Sequence, residues 1–355
     1  MKFLQLINVR WYNATAWYAV NLSRVLVENN HDVIVAGLPG SPPLLKAKEY
    51  GLKIFELPFN SNNPMQIIKN IGKFNSFIKE FKPDWVVCHR GEFFWYCALK
   101  RLLSNGYRLI RVRGDRRKPK TDFINKFLHD KCTDLVVTSG DFLKSVYIKE
   151  MKLTENKVKT IYGGVDTLKF RYSEEGRKRV REEFGFSDND YVVGIVGRFD
   201  YVKGHENLIK AISIIYLEKG IKNIRLFLIG FDTNIKTDDI KNMIRNYNIE
   251  DISRISGFRE DIVDCMSALD LGVVASLGSE AICRVAFELM AVGVPVVSSD
   301  VGVLPEIIPK ENIYPANNVE KLVEKILNHN KSVRVYSDKQ FYNDFIKAIS
   351  SIDKN

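Results

Sequence analysis

Residues 270–300 constrain the fold of this chain more than any other stretch. A short apolar run at 271–275 is followed by a small polar loop at 276–279. Ile282, Val285, Ala286, Leu289 and Met290 then fall at i, i+3, i+4, i+7 and i+8, an apolar stripe along one helix face. Gly293 stands where such a helix stops, with Pro295 just beyond it. A second apolar run follows at 294–297. The order is strand, loop, helix, strand, the unit of a parallel sheet. Ligands of such sheets bind outside the carboxyl ends of the strands, here beside the loop and the helix start.

Glu280, Arg284 and Glu288 are spaced by four. One reading is an i,i+4 ion-pair ladder on a helix surface. The other is a ligand site. A helix start presents free N–H groups and the positive end of a dipole, which suits a phosphate. Glu280, at the loop edge, is placed to meet a sugar hydroxyl, and Glu288 to accept from a ribose diol.

Glu280 and Glu288, Leu289-Met-Ala291, Gly293-Val-Pro-Val-Val297, and Asp300-Val-Gly302 through Pro305-Glu306-Ile-Ile308 together resemble the donor-site segment of family-4 glycosyltransferases. These are retaining enzymes that use nucleotide-sugars. The resemblance implies an α/β, GT-B fold, with two Rossmann-like parallel-sheet domains facing one cleft. The acceptor would sit on the first domain and the nucleotide-sugar on the second. One departure stands out. The family usually has Gly-Phe-Gly after the first Glu, where this chain has Ala281, Ile282 and Cys283. Fewer glycines make a stiffer, more crowded loop, which leaves the identity of the sugar open.

Upstream, the apolar run at 190–197 reads as a strong strand. It delivers Arg198 and, five residues on, Lys203-Gly204. Two cations at a strand end can converge on one diphosphate; a pair of surface cations is the alternative. The motif resembles the family's Gly-Arg…Lys-Gly element, so Gly197, Arg198 and Lys203 are implied to hold the nucleotide diphosphate. A nucleoside diphosphate leaves with developing negative charge, which fixed positive groups stabilise. The run lacks Gly-x-Gly-x-x-Gly spacing and no Gly-Lys-Ser/Thr occurs, so it is neither a dinucleotide fingerprint nor a Walker loop. Residues 225–230 and 255–259 come next. By resemblance they line the base pocket, bringing in Gly230, Phe258 and Arg259; core packing is the other reading of Phe258.

The chain has 355 residues, enough for two domains. The boundaries read as 1–166 for the acceptor side, 167–185 for a connection and 186–335 for the donor side. The resemblance brings a terminal helix, 339–355, back onto the first domain. The net charge of +10 is uneven: residues 1–165 hold 27 Lys+Arg against 14 Asp+Glu, a balance of +13, and the remainder stands at −3. A basic half suggests an anionic partner.

In that half, a strand at 3–9 leads to Trp11, Tyr12 and Asn13, where the family often has Gly-Gly. Aromatic side chains there can stack on a sugar face or simply pack. His89 closes another strand, as a site residue or a structural one. The strand 108–113 runs into Gly114, Asp115, Arg116 and Arg117, and residues 108–120 hold seven cations. Arg111 and Arg113 alternate toward the strand's functional end, and guanidinium forks match phosphate or carboxylate. Arg113, Asp115 and Arg116 are therefore expected to hold an acidic acceptor, such as a phosphorylated or acidic-sugar lipopolysaccharide core. The same cluster could grip a membrane surface. Many family members carry a His near this point, and here none stands.

The implied reaction is front-face transfer with retention. Arg198, Lys203 and the amides at 281–284 would hold the diphosphate. Glu288 would hold the ribose and Glu280 would orient the sugar. No metal or cofactor is expected besides the nucleotide-sugar substrate. Two other classes stay open. One is an anion-binding module that has lost turnover, motivated by the altered loop. The other is a nucleic-acid-binding protein using the basic half, although no reading helix or RNA-binding signature is recognisable. Five scattered cysteines without a Cys-x2-Cys fit a reducing cytoplasm. The N-terminal apolar run is too brief for a signal peptide, and no run is long enough to span a bilayer, which leaves peripheral membrane contact open.

Overall fold

The structure, a computed structural model, describes residues 1–352 other than 105 and 116. The described residues form two compact α/β units: Met1–Gly164 with the stretch from Asp338 onward, and Val165–Ser337.

The first unit is built on seven parallel strands: β1 (Lys2–Ile7), β2 (Asp32–Gly37), β3 (Lys53–Glu56), β4 (Trp85–Cys88), β5 (Arg108–Arg113), β6 (Leu135–Thr138) and β7 (Val158–Thr160). Their order across the sheet is β3-β2-β1-β4-β5-β6-β7, so the winding reverses between β1 and β4. The joining helices are α1 (Ala14–Glu28), α2 (Pro42–Glu49), α3 (Pro64–Phe81), α4 (Phe94–Ser104), α5 (Phe123–Asp130) and α6 (Asp141–Lys149). Local chemistry fixes their starts. Asn63 accepts from the amides of Met65 and Gln66, with Pro64 at the first position of α3, and Asp122 accepts from Asn125 at the start of α5. Phe74 of α3, Phe94, Cys97 and Ala98 of α4, and Leu128 of α5 share one core under the same sheet face.

The second unit starts with α7 (Glu174–Phe184). Its sheet has six parallel strands: β8 (Tyr191–Val196), β9 (Ile224–Ile229), β10 (Ser253–Ile255), β11 (Leu271–Val274), β12 (Val296–Ser299) and β13 (Ile313–Tyr314), ordered β10-β9-β8-β11-β12-β13. Its other helices are α8 (His205–Ser213), α9 (Thr237–Asn246), α10 (Ile262–Ser267), α11 (Arg284–Val292), α12 (Leu304–Ile307) and α13 (Val319–Leu327). Here the winding reverses between β8 and β11, so the loops after those two strands share the switch point where ligands of open α/β sheets bind. The last helix, α14 (Asp338–Ser350), lies on α1 of the first unit. There Phe341 meets Tyr18 at 4.9 Å, and Asn21 donates to Asp338 at 2.7 Å.

Two expectations change. Residues 167–185, read as a connection, contain the packed helix α7. Arg177 and Arg181 from that helix both grip Asp270, at 2.7 and 2.6 Å, and Ser173 caps it. The polar sequence looks like a linker because its cations are used in pairing with one half-buried carboxylate. The helix after β11 starts at Arg284, two residues later than the apolar stripe suggests. Cys283 takes a left-handed conformation (φ 52°), which an α-helix does not admit, and Ile282 is buried from the loop before it.

Candidate active site

At the end of β8 the chain passes through Gly197 and Arg198 into a 3₁₀ turn, Tyr201–Lys203. Asp200 caps this turn, accepting from the Val202 amide at 3.1 Å, and also pairs with Arg198 at 2.9 Å. The loop after β11 lies directly against it: the Leu277 amide donates to the Val202 carbonyl at 2.8 Å. Gly204 is required at this junction. Its φ is +69°, and a Cβ would come within 2.0 Å of the Ala275 carbonyl oxygen. Gly230, at the end of β9, is needed for a similar reason, since a Cβ there would meet the Gly197 carbonyl oxygen at 2.0 Å.

This backbone contact brings two distant charges together. Lys203 Nζ lies 2.6 Å from Glu280 Oε1, and the Ser276 hydroxyl donates to the same oxygen at 2.5 Å. Glu280 is buried and Lys203 half-buried. Burial alone would lower the pKa of the Lys203 ammonium, but the Glu280 carboxylate more than offsets it and holds it above the ordinary lysine value. Arg198 is half exposed beside them. The Glu280 carbonyl accepts from the Val303 amide at 2.9 Å, which ties the loop after β12 into the same group.

Glu280 therefore does not belong to an ion-pair ladder. Only Arg284 and Glu288 pair along α11, at 2.9 Å. Glu288 is buried, and that burial, partly opposed by Arg284, pushes its pKa up to about 7. The side chains of Ala281, Ile282 and Cys283 point inward, with Ile282 and Cys283 nearly inaccessible. These three residues precede the helix, so its amino end belongs to Arg284 and the residues after it. Burial, then the Glu280 charge, raises the Cys283 thiol well above its usual range.

At the next strand ends Phe258 is 70% exposed, which rules out core packing. Phe231, which sequence reasoning missed, stands edge-on to it at 5.9 Å and is also exposed. An aromatic residue directly after Gly230 at a strand end was the available signal. Ser276 was missed as well; a serine in the loop joining β11 to Glu280 has no distinguishing spacing. Arg259 is corrected. Its guanidinium is held by both oxygens of Glu183, at 2.6 and 2.8 Å, and by Asp261 at 2.8 Å, so the fork is already filled.

The expected acceptor residues of the first unit scatter. Trp11 is 74% exposed after β1, Tyr12 packs partly against the core, and Asn13 accepts from the Ala16 amide as the cap of α1. His89 is buried, with Nε2 at 2.7 Å from Gln5, and burial followed by the Arg111 charge lowers its pKa to about 3. A neutral ring in the core cannot meet an acceptor in this conformation. Arg113 donates to Asp115 at 2.9 Å and to the Arg117 carbonyl at 2.6 Å. Asp115 also faces Arg90 and Arg117, each at 3.6 Å. Arg116 lies outside the described residues. The arginines at this strand end are thus largely engaged with their own loop, because Asp115 sits among them.

Two doubly wound parallel sheets, the second carrying its charged loops at the switch point, form the GT-B architecture. The model for glycosyl transferases group 1 matches residues 176–349 and that for glycosyltransferase family 4 matches residues 15–169. Spore coat protein SA of Bacillus subtilis is 26% identical over 268 residues, 70% of this chain and 69% of that protein. Several other curated relatives are matched over about half their own length. A crystal structure of a glycosyltransferase from Rickettsia africae matches with a TM-score of 0.86 and 20% identity, covering 100% of this chain and 99% of that one. The Anabaena protein HepE, crystallised with UDP, matches with a TM-score of 0.77 and 18% identity over 100% and 98% of the two chains. Those identities speak for the fold. The chain belongs to the group 1 and family 4 glycosyltransferases.

Proposed function

We propose that this transferase moves a sugar from a nucleoside-diphosphate donor to an acidic or phosphorylated glycan or glycolipid of the cell envelope, with retention of anomeric configuration and without a metal. The observation that carries the donor side is the Lys203–Glu280 contact at the shared strand ends of β8 and β11, with Arg198 beside it and the amino end of α11 next in the chain. Arg198 and Lys203 neutralise the diphosphate, and the helix end adds its dipole. The Phe231–Phe258 pair offers a face for the base. Glu288 accepts from the ribose hydroxyls, and Glu280 orients the sugar. The fold that holds UDP in the Anabaena protein supports the same reading.

In the reaction, the bond from the sugar's anomeric carbon to the phosphate oxygen breaks as the acceptor oxygen bonds to that carbon on the same face. The acceptor's proton passes to the departing phosphate, which leaves as the nucleoside diphosphate. Lys203 shifts from Glu280 toward that phosphate as its charge grows. The basic balance of the first unit supports an anionic acceptor. Incubation with a panel of labelled nucleotide-sugars and envelope glycan extracts tests the proposal. Transfer with an unchanged anomeric configuration, read by NMR, is the expected result. Inversion, or no release of nucleoside diphosphate from any donor, would reject it.

A further inference from the structure

His205 is the first residue of α8, directly after Gly204 and close behind Lys203 in the chain. It is 2% exposed, and neither ring nitrogen has a hydrogen-bond partner among the described residues. The other buried histidines each have one: His89 reaches Gln5 at 2.7 Å, and His129 reaches the Asn125 carbonyl at 2.8 Å. A buried polar group left unpaired costs about 1–3 kcal/mol, so an imidazole with both nitrogens empty calls for a reason. The ring is nonetheless fixed in place. Phe199 stands edge-on to it at 5.3 Å, and Gly204 before it lies tight against the Ala275 carbonyl.

Two charged residues act on this ring. The Lys203 ammonium opposes its protonation, while the carbonyl and the carboxylate of Asp200 favour it. The carboxylate is shared with Arg198 at 2.9 Å. The carbonyl already accepts from the Lys203 amide at 2.9 Å, and no hydrogen bond of ordinary geometry joins it to the ring. Among the described residues, α9, α13 and β9, which pack on α8, bring no charge that acts on it. Burial first, and then Lys203, keep the imidazole neutral and lower its pKa to about 4. The positive end of the α8 dipole works in the same direction. A diphosphate reverses the balance, because its negative charge offsets Lys203 and the helix end together.

We propose, on the donor-site reading above, that His205 is a positioning residue: it takes up a proton from solvent when a nucleoside diphosphate arrives, and so fixes the turn that carries Lys203. The new N–H donates to the Asp200 carbonyl and ties the turn Tyr201–Lys203 to the start of α8. Binding is then linked to protonation. Wild-type affinity should gain on that of His205→Gln as pH falls below neutral, by up to about tenfold for each unit by which binding raises the ring's pKa.

The test follows the five histidines of the full chain, labelled with nitrogen-15, by NMR as UDP, GDP or ADP is added. At about pH 5.5 one ring should pass from neutral to imidazolium with the nucleotide that binds. That signal should be the one missing from His205→Gln, and calorimetry across pH should show the affinity gap. The wild-type spectra decide the matter even if the variant fails to fold. Binding with every ring unchanged, or the same pH dependence of Kd in both proteins, would overturn the proposal and leave the donor site standing. Failure of all three nucleotides to bind the wild type would reject both.

Discussion

Both units place cations at strand ends, but they engage them differently. In the second unit Lys203 finds its carboxylate on a different loop, 77 residues away, and stays half-buried. In the first unit Arg111 is 2% exposed and, among the described residues, forms no ion pair with a carboxylate. It donates to the carbonyls of Cys88 and Val112 and lies over the Phe94 ring, and burial lowers its pKa to about 10. Arg113 is tied to Asp115, two residues on. A cation whose partner comes from another strand-end loop can be handed to a ligand arriving at both loops. A cation absorbed by main-chain carbonyls, as Arg111 is, or by its own turn, as Arg113 is, serves as scaffold. Position at a strand end selects the neighbourhood; the partner decides the use.

The largest expected effect would separate the two kinds. Lys203→Met should lower release of nucleoside diphosphate by on the order of 10²–10³, because a positive group at the departing charge is lost. Arg113→Met should leave hydrolysis of the donor near the wild-type rate. Equal losses in steady-state assays would erase the distinction.

Stability gives the next contrast. Arg181, 3% exposed, joins Asp270 at 2.6 Å and also donates to the Ala268 carbonyl. Arg181→Met should cost about 3 kcal/mol in urea denaturation, since it strips a partner from a paired carboxylate. Arg111→Met should change stability by less than about 1 kcal/mol, because no carboxylate is stranded and a buried charge is removed. A larger loss at Arg111 than at Arg181 would mean the first unit depends on that charge.

The smallest effects are opposite slopes with pH. Glu288 has a raised folded pKa, so its unfolded form gives up the proton first. Stability from this group is full below about 4.3 and is lost as pH rises to about 7. His89 has a lowered folded pKa, so its contribution is full above about 6.5 and is lost as pH falls toward 3. Each slope is at most about 1.4 kcal/mol per pH unit. Glu288→Gln should flatten the first and His89→Gln the second in thermal melts across that range. Unchanged slopes would show that these groups are not held as described.

Much of this was legible in the chain itself. The strand Arg108–Arg113 was read with its observed bounds. Apolar runs between turn residues report burial directly. The start of α11 was misjudged because Ile282 is buried from a loop, and apolar periodicity records burial without distinguishing loop from helix. Partner choice was the hidden layer. Nothing in the spacing of Arg259 foretells Glu183, 76 residues earlier, and nothing in the 108–120 cation run foretells that Asp115 would gather three arginines. Phe231 left a signal in its place directly after Gly230, but its exposure was not legible, because a lone aromatic after a strand looks the same whether it packs inward or stands in solvent.

The central claim is that a diphosphate is held by Arg198, Lys203 and the amino end of α11. Calorimetric titration of UDP, GDP and ADP into the wild type, Arg198→Met and Lys203→Met measures it most directly. One nucleotide should bind the wild type, and each substitution should weaken it by roughly tenfold or more, the worth of a charged hydrogen bond. Binding of that nucleotide with the same affinity in all three proteins would contradict the account.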